Sequence, residues 1–530
     1  MDTKALRQKI LDLAIRGKLV PQDPNDEPAK VLLERIREQK QQMLKEGKLK
    51  KKDIKNDTII FKGEDSLHYE KFQDGTVKCI EDEIPFEVPE GWAWCKLNDI
   101  YNFIDYRGAT PTKITNGIPL VTAKNVKSGY IDYTIDDYIS EEEFKERQQR
   151  GISKKGDILF TTEAPLGNAA LADMEKFSAG QRLITFQQYG SKNELINYVM
   201  LMFILSDFFQ QQLYVNKTGS TVAGIKAAIL KTLWIPVPPY NEQLRISNTL
   251  KSAINLIDSI SKNKEILSTS ISNTKSKILD LAIRGKLVPQ DPNDEPASVL
   301  LERISAEKEE LIKQGKIKRD KKESVIFKGD DNSYYLRTEL ETMEIADELP
   351  YEIPESWEWA RIGNVFQVNP RNKLDDLLEV SFIPMPLIDD GFSGKHTSEV
   401  RVWEKIKSGF THFTEGDIGI AKITPCFENR KSVVFRNLKN NYGAGTTELH
   451  VLRPYASSIL PEYVLAYVKS SMFIDKGKQE FTGAVGQQRI GKDYVENSYF
   501  PIPPLAEQKR IVEQISTVYK QLDLISNALR

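Results

Sequence analysis

The chain has 530 residues, 40% of them apolar, and a formal net charge of −2. That much apolar material excludes wholesale disorder, and the length suits three or four domains. No stretch approaches the roughly 20 apolar residues of a membrane span. The near-neutral charge excludes a chain that is basic over its whole surface, so any nucleic-acid contact must come from local patches or from partner subunits.

The opening MDTKALRQKI reads as a charged helix start and not as a signal peptide. Residues 1–58 form an N-terminal helical region that ends in the lysine run Lys48–Lys55. Within it, Lys9–Ala29 reads KILDLAIRGKLVPQDPNDEPA, and Lys277–Ala297 repeats it letter for letter. Asn25 or Asp26, and Asn293 or Asp294, are candidate N-caps for a following helix. Pro28 and Pro296 fall in its first turn, and Gly47 and Gly315 are stops.

Residues 84–239 form a mixed region of short β-branched and aromatic runs broken by Gly and Pro. It opens on a Trp-x-Trp strand (Trp92, Trp94) and closes on a stiff Pro-rich exit (Pro236, Pro238, Pro239). Residues 240–325 are again helical. Ile246, Leu250, Ile257, Ile260, Leu267, Ile271, Ile278 and Leu281 recur on steps of three and four, the seam of a coiled coil. A helix from Asn241 to the stop at Gly285 would be about 65 Å long at 1.5 Å per residue. A second lysine run (Lys316–Glu323) follows. Residues 349–504 are mixed once more, from Trp357 and Trp359 to Pro501, Pro503 and Pro504, and residues 505–530 are helical.

These regions are two copies of one unit of about 265 residues. IPVPPYNEQLRI (Ile235–Ile246) returns as FPIPPLAEQKRI (Phe500–Ile511), and a Gly-Asp-Ile strand start occurs in each copy (Gly156, Gly416). Ile511, Ile515, Val518, Leu522 and Ile525 continue the seam in phase with the first half of the central helix. Leu6, Ile10 and Leu13 are in phase with its second half. The simplest arrangement brings the termini together, with both end helices antiparallel to the central one; two ordinary amphipathic helices on separate cores are the alternative. The lysine runs are either solvated helix ends or contacts for DNA backbone or an acidic surface. Duplicated halves suit a partner that is itself nearly two-fold, as duplex DNA is.

Between the shared scaffold elements the loops diverge. The first copy offers Arg107, Thr110, Lys113, Lys124, Asn125, Lys217, Ser220 and Lys226. The second offers Arg371, Lys373, Lys422, Arg430, Lys431, Gln487, Arg489 and Lys492. Arg and Lys suit guanine edges, Asn and Gln suit adenine edges, and Thr suits phosphate. Two unlike sets on one frame are what a reader of two unlike half-sites needs. The phosphate-binding Gly-rich lysine loop, the [ND]PP[YF] tetrapeptide of amino-methyltransferases, GxSxG, CxxC and a shared nuclease-like acidic–lysine pattern are all absent, so a non-catalytic chain is expected. Cys79, Cys95 and Cys426 form no zinc pattern and suit a reducing cytoplasm. His68, His396, His412 and His450 have no metal-ligand spacing.

With these pieces placed, the chain resembles the specificity subunit of type I restriction–modification systems. The duplicated PxPPxxEQxRI junctions and ILDLAIRGKLVPQDPNDEPA blocks carry the likeness. The resemblance implies an α+β fold with two target recognition domains separated by an antiparallel pair of long coiled-coil helices. It implies double-stranded DNA, two modification subunits and restriction subunits as partners, and no membrane. It places S-adenosylmethionine, ATP and Mg²⁺ on those partners, with no cofactor or catalytic residue in this chain. Residues 84–239 resemble the YRGxTP class of recognition domain and residues 349–504 a different class, which implies an asymmetric target. A fused methyltransferase–nuclease and a coiled-coil scaffold or decoy that binds only protein are the competing readings.

Overall fold

A computed structural model describes residues 2–54, 57–106, 110–134, 137–189, 194–219, 223–319, 324–455, 459–484 and 486–529. The chain divides into two compact units, Met1–Asn263 and Lys264–Arg530. The 44-residue helix Tyr240–Ile283 begins in the first and ends in the second.

Each unit is a mixed α/β body built on the same plan. In unit 1 the four-stranded sheet runs in the order Tyr101–Asp105, Leu183–Gln188, Ile158–Thr161, Ala169–Leu171, all antiparallel. In unit 2 the order is Phe366–Val368, Leu449–Pro454, Ile418–Ala421, Ser432–Val434. A second sheet in each contains one parallel pair, Ser178–Ala179 beside Ile118–Val121 and Tyr442–Gly445 beside Glu379–Ile383. Both Gly-Asp-Ile segments lead into the buried central strand Ile158–Thr161 or Ile418–Ala421. The Trp-x-Trp strand pairs with the Pro-rich exit: Ala93–Lys96 with Trp234–Val237, and Glu358–Arg361 with Tyr499–Ile502. Pro is tolerated there because each ribbon has only two strands and so presents an open edge.

The repeated junction is a hydrogen-bonded joint. Glu242 accepts from Trp92 Nε1 (2.9 Å) and from Gln22 Nε2 (2.7 Å). Glu507 accepts from Trp357 Nε1 (2.8 Å) and from Gln290 Nε2 (2.6 Å). Gln243 donates to Pro238 O and accepts from Ile196 N, as Gln508 does with Pro503 O and Leu460 N. Arg245 pairs with Asp26 at 2.5 Å and Arg510 with Asp294 at 2.6 Å. The identical blocks therefore supply Gln and Asp to the start of the helix that follows each exit strand. Asp26 and Asp294 are drawn into these pairs, so the following helices, Ala29–Lys45 and Ala297–Lys313, have Pro28 and Pro296 at the N-cap with no side-chain cap. Gly17 and Gly285 have φ of +65° and +66°, and a Cβ on either would lie 2.4 Å from Pro89 or Pro354. Only glycine fits that turn against the tryptophan layer.

Within unit 1 the first helix (Thr3–Ile15) leads back toward the start of the long helix: Arg7 pairs with Asp258, while the loop after the helix reaches residues 242–245, Gln22 donating to Glu242 and Asp26 pairing with Arg245. Within unit 2 the C-terminal helix (Leu505–Ala528) lies against the long helix at Lys275, which pairs with Asp523 and accepts at its carbonyl from Tyr519 Oη. Ile246, Leu250, Ile257, Ile271, Ile278 and Ile511 are buried, and Ile260, Leu281, Ile515, Val518, Leu522, Leu6, Ile10 and Leu13 half-buried. Leu267 and Ile525 are 40% and 46% exposed. The helices bury a further face into the unit cores, through Leu11, Ala14 and Ile15 in unit 1 and Ala282 and Ile283 in unit 2. Each leucine or isoleucine among them contributes roughly 1.5–3 kcal/mol on full burial, so packing on the core, and not heptad phase alone, sets which positions are covered.

The segments after the lysine runs form a small three-stranded sheet in each unit, Ile59–Cys79 and Val325–Glu344, with Phe61 stacked on Tyr69 and Phe327 on Tyr335. Lys40 and Lys308 lie buried on equivalent helices, over the rings of Tyr189 and Tyr455.

Candidate nucleic-acid interface

In unit 1 hydrogen bonds gather three diverging loops. Thr110 Oγ1 donates to Gln181 Oε1 at 2.9 Å, and Gly180 N donates to Val121 O at 2.7 Å beside the Lys124 loop. Thr162 N donates to Arg182 O, and Ile225 N donates to Thr162 O. Thr110, Lys113, Lys124, Lys217 and Lys226 are exposed. Lys113 pairs with Asp137 at 2.7 Å, and Lys217 lies 3.6 Å from the Tyr214 ring centroid. Among the described residues no ion pair is formed by Lys124 or Lys226. Asn125 is placed differently from a base reader. It is 2% exposed, accepts from Thr122 N and Oγ1, and donates to Asp132 O, so its amide closes its own loop. Arg107 and Ser220 lie outside the described residues.

In unit 2 the corresponding bonds join the loops at 369–373, 422–425, 446–450 and 482–492. Lys422 N donates to Glu448 O, Thr424 N to Gln488 O, and Ile490 N to Lys422 O. Arg489 forks onto Glu448 with bonds of 2.8 and 2.9 Å. Those bonds hold the Glu448 carboxyl below the usual carboxylate range and raise the guanidinium. Arg371, Lys373, Gln487 and Lys492 are exposed and Lys422 is half-buried. Arg371 donates to Phe410 O, and Lys492 pairs with Glu496. Two further candidate residues point inward. Arg430 donates to Lys469 O and lies over Phe392, and Lys431 donates to Ile388 O at 2.9 Å. Lys431 spends its donors on backbone, and Arg430 spends its own on backbone and on the hydroxyls of Ser276 and Ser471.

The histidines have a role that their spacing does not reveal. His450 is buried, accepts at Nδ1 from Asn369 Nδ2 (3.2 Å) and donates from Nε2 to Ile490 O (3.1 Å). His412 accepts at Nδ1 from Asn372 N and donates to Lys407 O. Together they pin the 369–373 loop in their neutral form. Burial lowers both pKa values, and Arg371 adds to this for His412. A lowered folded-state pKa contributes order that is complete above about pH 6.5 and is lost as pH falls through the folded value. Affinity for whatever unit 2 binds is therefore expected to drop, relative to that of unit 1, as pH falls below about 6.5 and through the lowered folded-state values. Equal pH profiles for the two would contradict this reading.

Glu163 and Arg182, not expected from the sequence, lie in the same cluster of unit 1, 3.1 Å apart and about half exposed. The one signal available was the shared offset of nine residues from Gly156 to Pro165 and from Gly416 to Pro425, which marks equivalent loops. Both of those prolines follow a cis peptide bond.

This arrangement is a polar, locally cationic loop surface on a rigid sheet, suited to base edges and phosphates. Among the described residues no group of three or more His, Cys, Asp or Glu could hold a metal. No helix among them is long and apolar enough to cross a membrane.

The chain is 46% identical over 254 residues to the type I restriction enzyme EcoAI specificity subunit of Escherichia coli, covering 48% of this chain and 40% of that protein. It is 47% identical over 247 residues to the EcoEI specificity subunit of Escherichia coli, covering 46% and 39%. The aligned stretch thus spans about two-fifths of these curated relatives. The fold is shared with a solved chain from work described as "Structural basis underlying complex assembly and conformational transition of the type I R-M system". The TM-score is 0.53 at 16% identity, covering 84% of this chain and 94% of that one. The model of the type I restriction modification DNA specificity domain matches residues 89–268 and 354–530, more than half of the sequence and one match in each copy of the repeat. The chain belongs to the type I restriction modification DNA specificity family.

Proposed function

We propose that the chain is the DNA-reading subunit of a type I restriction–modification complex, and that each unit recognises one half of a bipartite, asymmetric target. The observation that carries this is a shared loop framework with different side chains on it. The bonds Thr162–Arg182 and Thr162–Ile225 recur as Lys422–Glu448 and Lys422–Ile490, while the residues that project from them differ in size and charge. A duplicated scaffold with identical loops would read a symmetric site; this one suits two unlike halves. The helical regions, which keep the identical blocks, dock two copies of a modification subunit that binds S-adenosylmethionine and methylates adenine. Motor–nuclease subunits using ATP and Mg²⁺ complete the assembly. The chain itself contributes recognition and positioning and no bond-breaking chemistry, and it acts in the cytoplasm.

Modified-base sequencing of genomic DNA tests this. Methyladenine is expected in a gapped, non-palindromic motif that disappears when the gene is deleted. A genome with no such motif, in cells that make the chain and its modification subunits, would favour the protein-only scaffold. Within the same reading, Lys226→Ala is expected to weaken binding of the complex several-fold and about equally on all duplexes, and to reduce the salt slope by about one. A change of base preference would make Lys226 a reader and not a phosphate contact.

A further inference from the structure

The two recognition frameworks can be matched residue by residue through their backbone bonds. In unit 1 Thr162 N donates to Arg182 O at 3.1 Å, and Thr162 O accepts from Ile225 N at 3.0 Å. Thr218 and Gly224 exchange bonds of 2.8 and 3.0 Å. In unit 2 Lys422 N donates to Glu448 O at 3.0 Å, Lys422 O accepts from Ile490 N at 3.0 Å, and Thr482 and Arg489 exchange bonds of 3.1 and 2.9 Å. Arg182 is therefore the counterpart of Glu448, and Gly224 the counterpart of Arg489. The bridges Glu163–Gly224 and Ile423–Arg489 make Glu163 the counterpart of Ile423.

The charge is reversed at one matched position, 182/448, and at the other two only one unit carries a charge. Unit 1 carries its guanidinium at the 182/448 position and its carboxylate at 163/423. Unit 2 carries its carboxylate at 182/448 and its guanidinium at 224/489, with both oxygens of Glu448 held by the Arg489 fork. Both pairs are open to solvent, with Arg182 and Glu163 53% and 44% exposed and Arg489 and Glu448 40% and 26%. An exposed single-contact pair such as Glu163–Arg182 contributes little to stability; the bidentate Arg489–Glu448 fork, with Arg489 Nη1 also donating to Gln487 O at 2.9 Å, holds its guanidinium in one orientation at the surface. The guanidinium fork matches O6 and N7 of guanine, and a carboxylate beside it fixes the fork's orientation.

We propose that Arg182 and Arg489 are specificity-determining residues. Each places its fork on a guanine edge in its own half of the target, buttressed by Glu163 and Glu448 respectively. This rests on the proposed function above and names where on the framework each half-target is read.

The test uses the assembled complex of full-length chain and modification subunits. Its binding is measured on duplexes that carry the mapped target and its single base-pair substitutions. With the natural chain, substituting one G·C pair in each half is expected to cost tenfold or more. With Arg182→Ala that penalty should fall below about threefold at one position of one half, with penalties everywhere else unchanged. Arg489→Ala should do the same in the other half. Arg182→Lys and Arg489→Lys should not restore the penalty, because a point charge lacks the fork. Penalties that persist at every position in the Ala variants, or full rescue by Lys, would overturn the proposal and leave a surface ion pair or a phosphate clamp. A natural complex with no base preference at all would instead overturn the function on which it rests.

Discussion

Exchange of residues 349–504 for the corresponding segment of another family member is expected to replace one half of the methylated motif and leave the other half unaltered. Methylation of the original sequence should fall to background. The segment is built to be exchanged. Its first strand, Glu358–Arg361, pairs along its whole length with its last, Tyr499–Ile502, so entry and exit meet on one two-stranded ribbon. Segments whose ends lie together can be swapped with little strain on the host. The recognition loops of unit 2 bond to one another and to the sheet of unit 2, and the core beneath them is its own. What the exchange must preserve is the joint: Glu507 beneath Trp357, and Arg510 on Asp294. A chimera that keeps Trp357 and residues from Leu505 onward retains it. Methylome sequencing of cells carrying the chimera reads the outcome. A shift in both halves of the motif would refute independent reading.

Lys40→Ala is expected to cost about 3–5 kcal/mol, the largest loss of stability we anticipate from one side chain. Lys40 is 2% exposed on the helix Ala29–Lys45. Its ammonium pairs with Asp57 at 2.5 Å, donates to Asn98 O at 3.0 Å and lies 4.7 Å from the Tyr189 ring centroid. Burial already raises the Asp57 pKa against the opposing pull of Lys40. Truncation leaves that carboxylate desolvated with only Arg37 and Lys231 left to oppose its charge, and the cost should shrink as pH falls through its raised pKa and Asp57 takes up a proton. Lys40→Met, which fills the space, combined with Asp57→Asn should recover much of the loss. Urea denaturation of the natural chain and these two variants measures this, and a loss under about 1 kcal/mol for Lys40→Ala would show that the pair does not anchor the helix.

How far the sequence reaches can be judged residue by residue. The duplication, the paired Trp and Pro strands and the helices that follow them were legible, because repeated letters mark the joint that both units share. Each repeated letter has a partner: Glu242 and Glu507 hold the tryptophans, and Arg245 and Arg510 hold Asp26 and Asp294. Asn125, Arg430 and Lys431 were chosen by residue type, and type does not say which way a side chain points. All three satisfy backbone groups of their own unit. Arg182 and Glu163 were hard to see for the opposite reason. Their own letters are not repeated, the shared Gly156–Pro165 and Gly416–Pro425 spacing marks only the loop of Glu163, and the folded backbone bonds bring the two together. The seam was partly legible: helix phase finds Ile246 and Ile278, but cannot see that Ala282 and Ile283 turn a second face into the unit 2 core.

The central claim is that both units read DNA, each its own sequence. Competition binding by the assembled complex tests it most directly, on duplexes with both halves of the target intact, with either half scrambled, and with both scrambled. Scrambling either half alone should lower affinity at least tenfold, and scrambling both should reduce it to the non-specific level. Affinity that ignores the scrambling of one half would contradict the claim, because one unit would then be reading nothing.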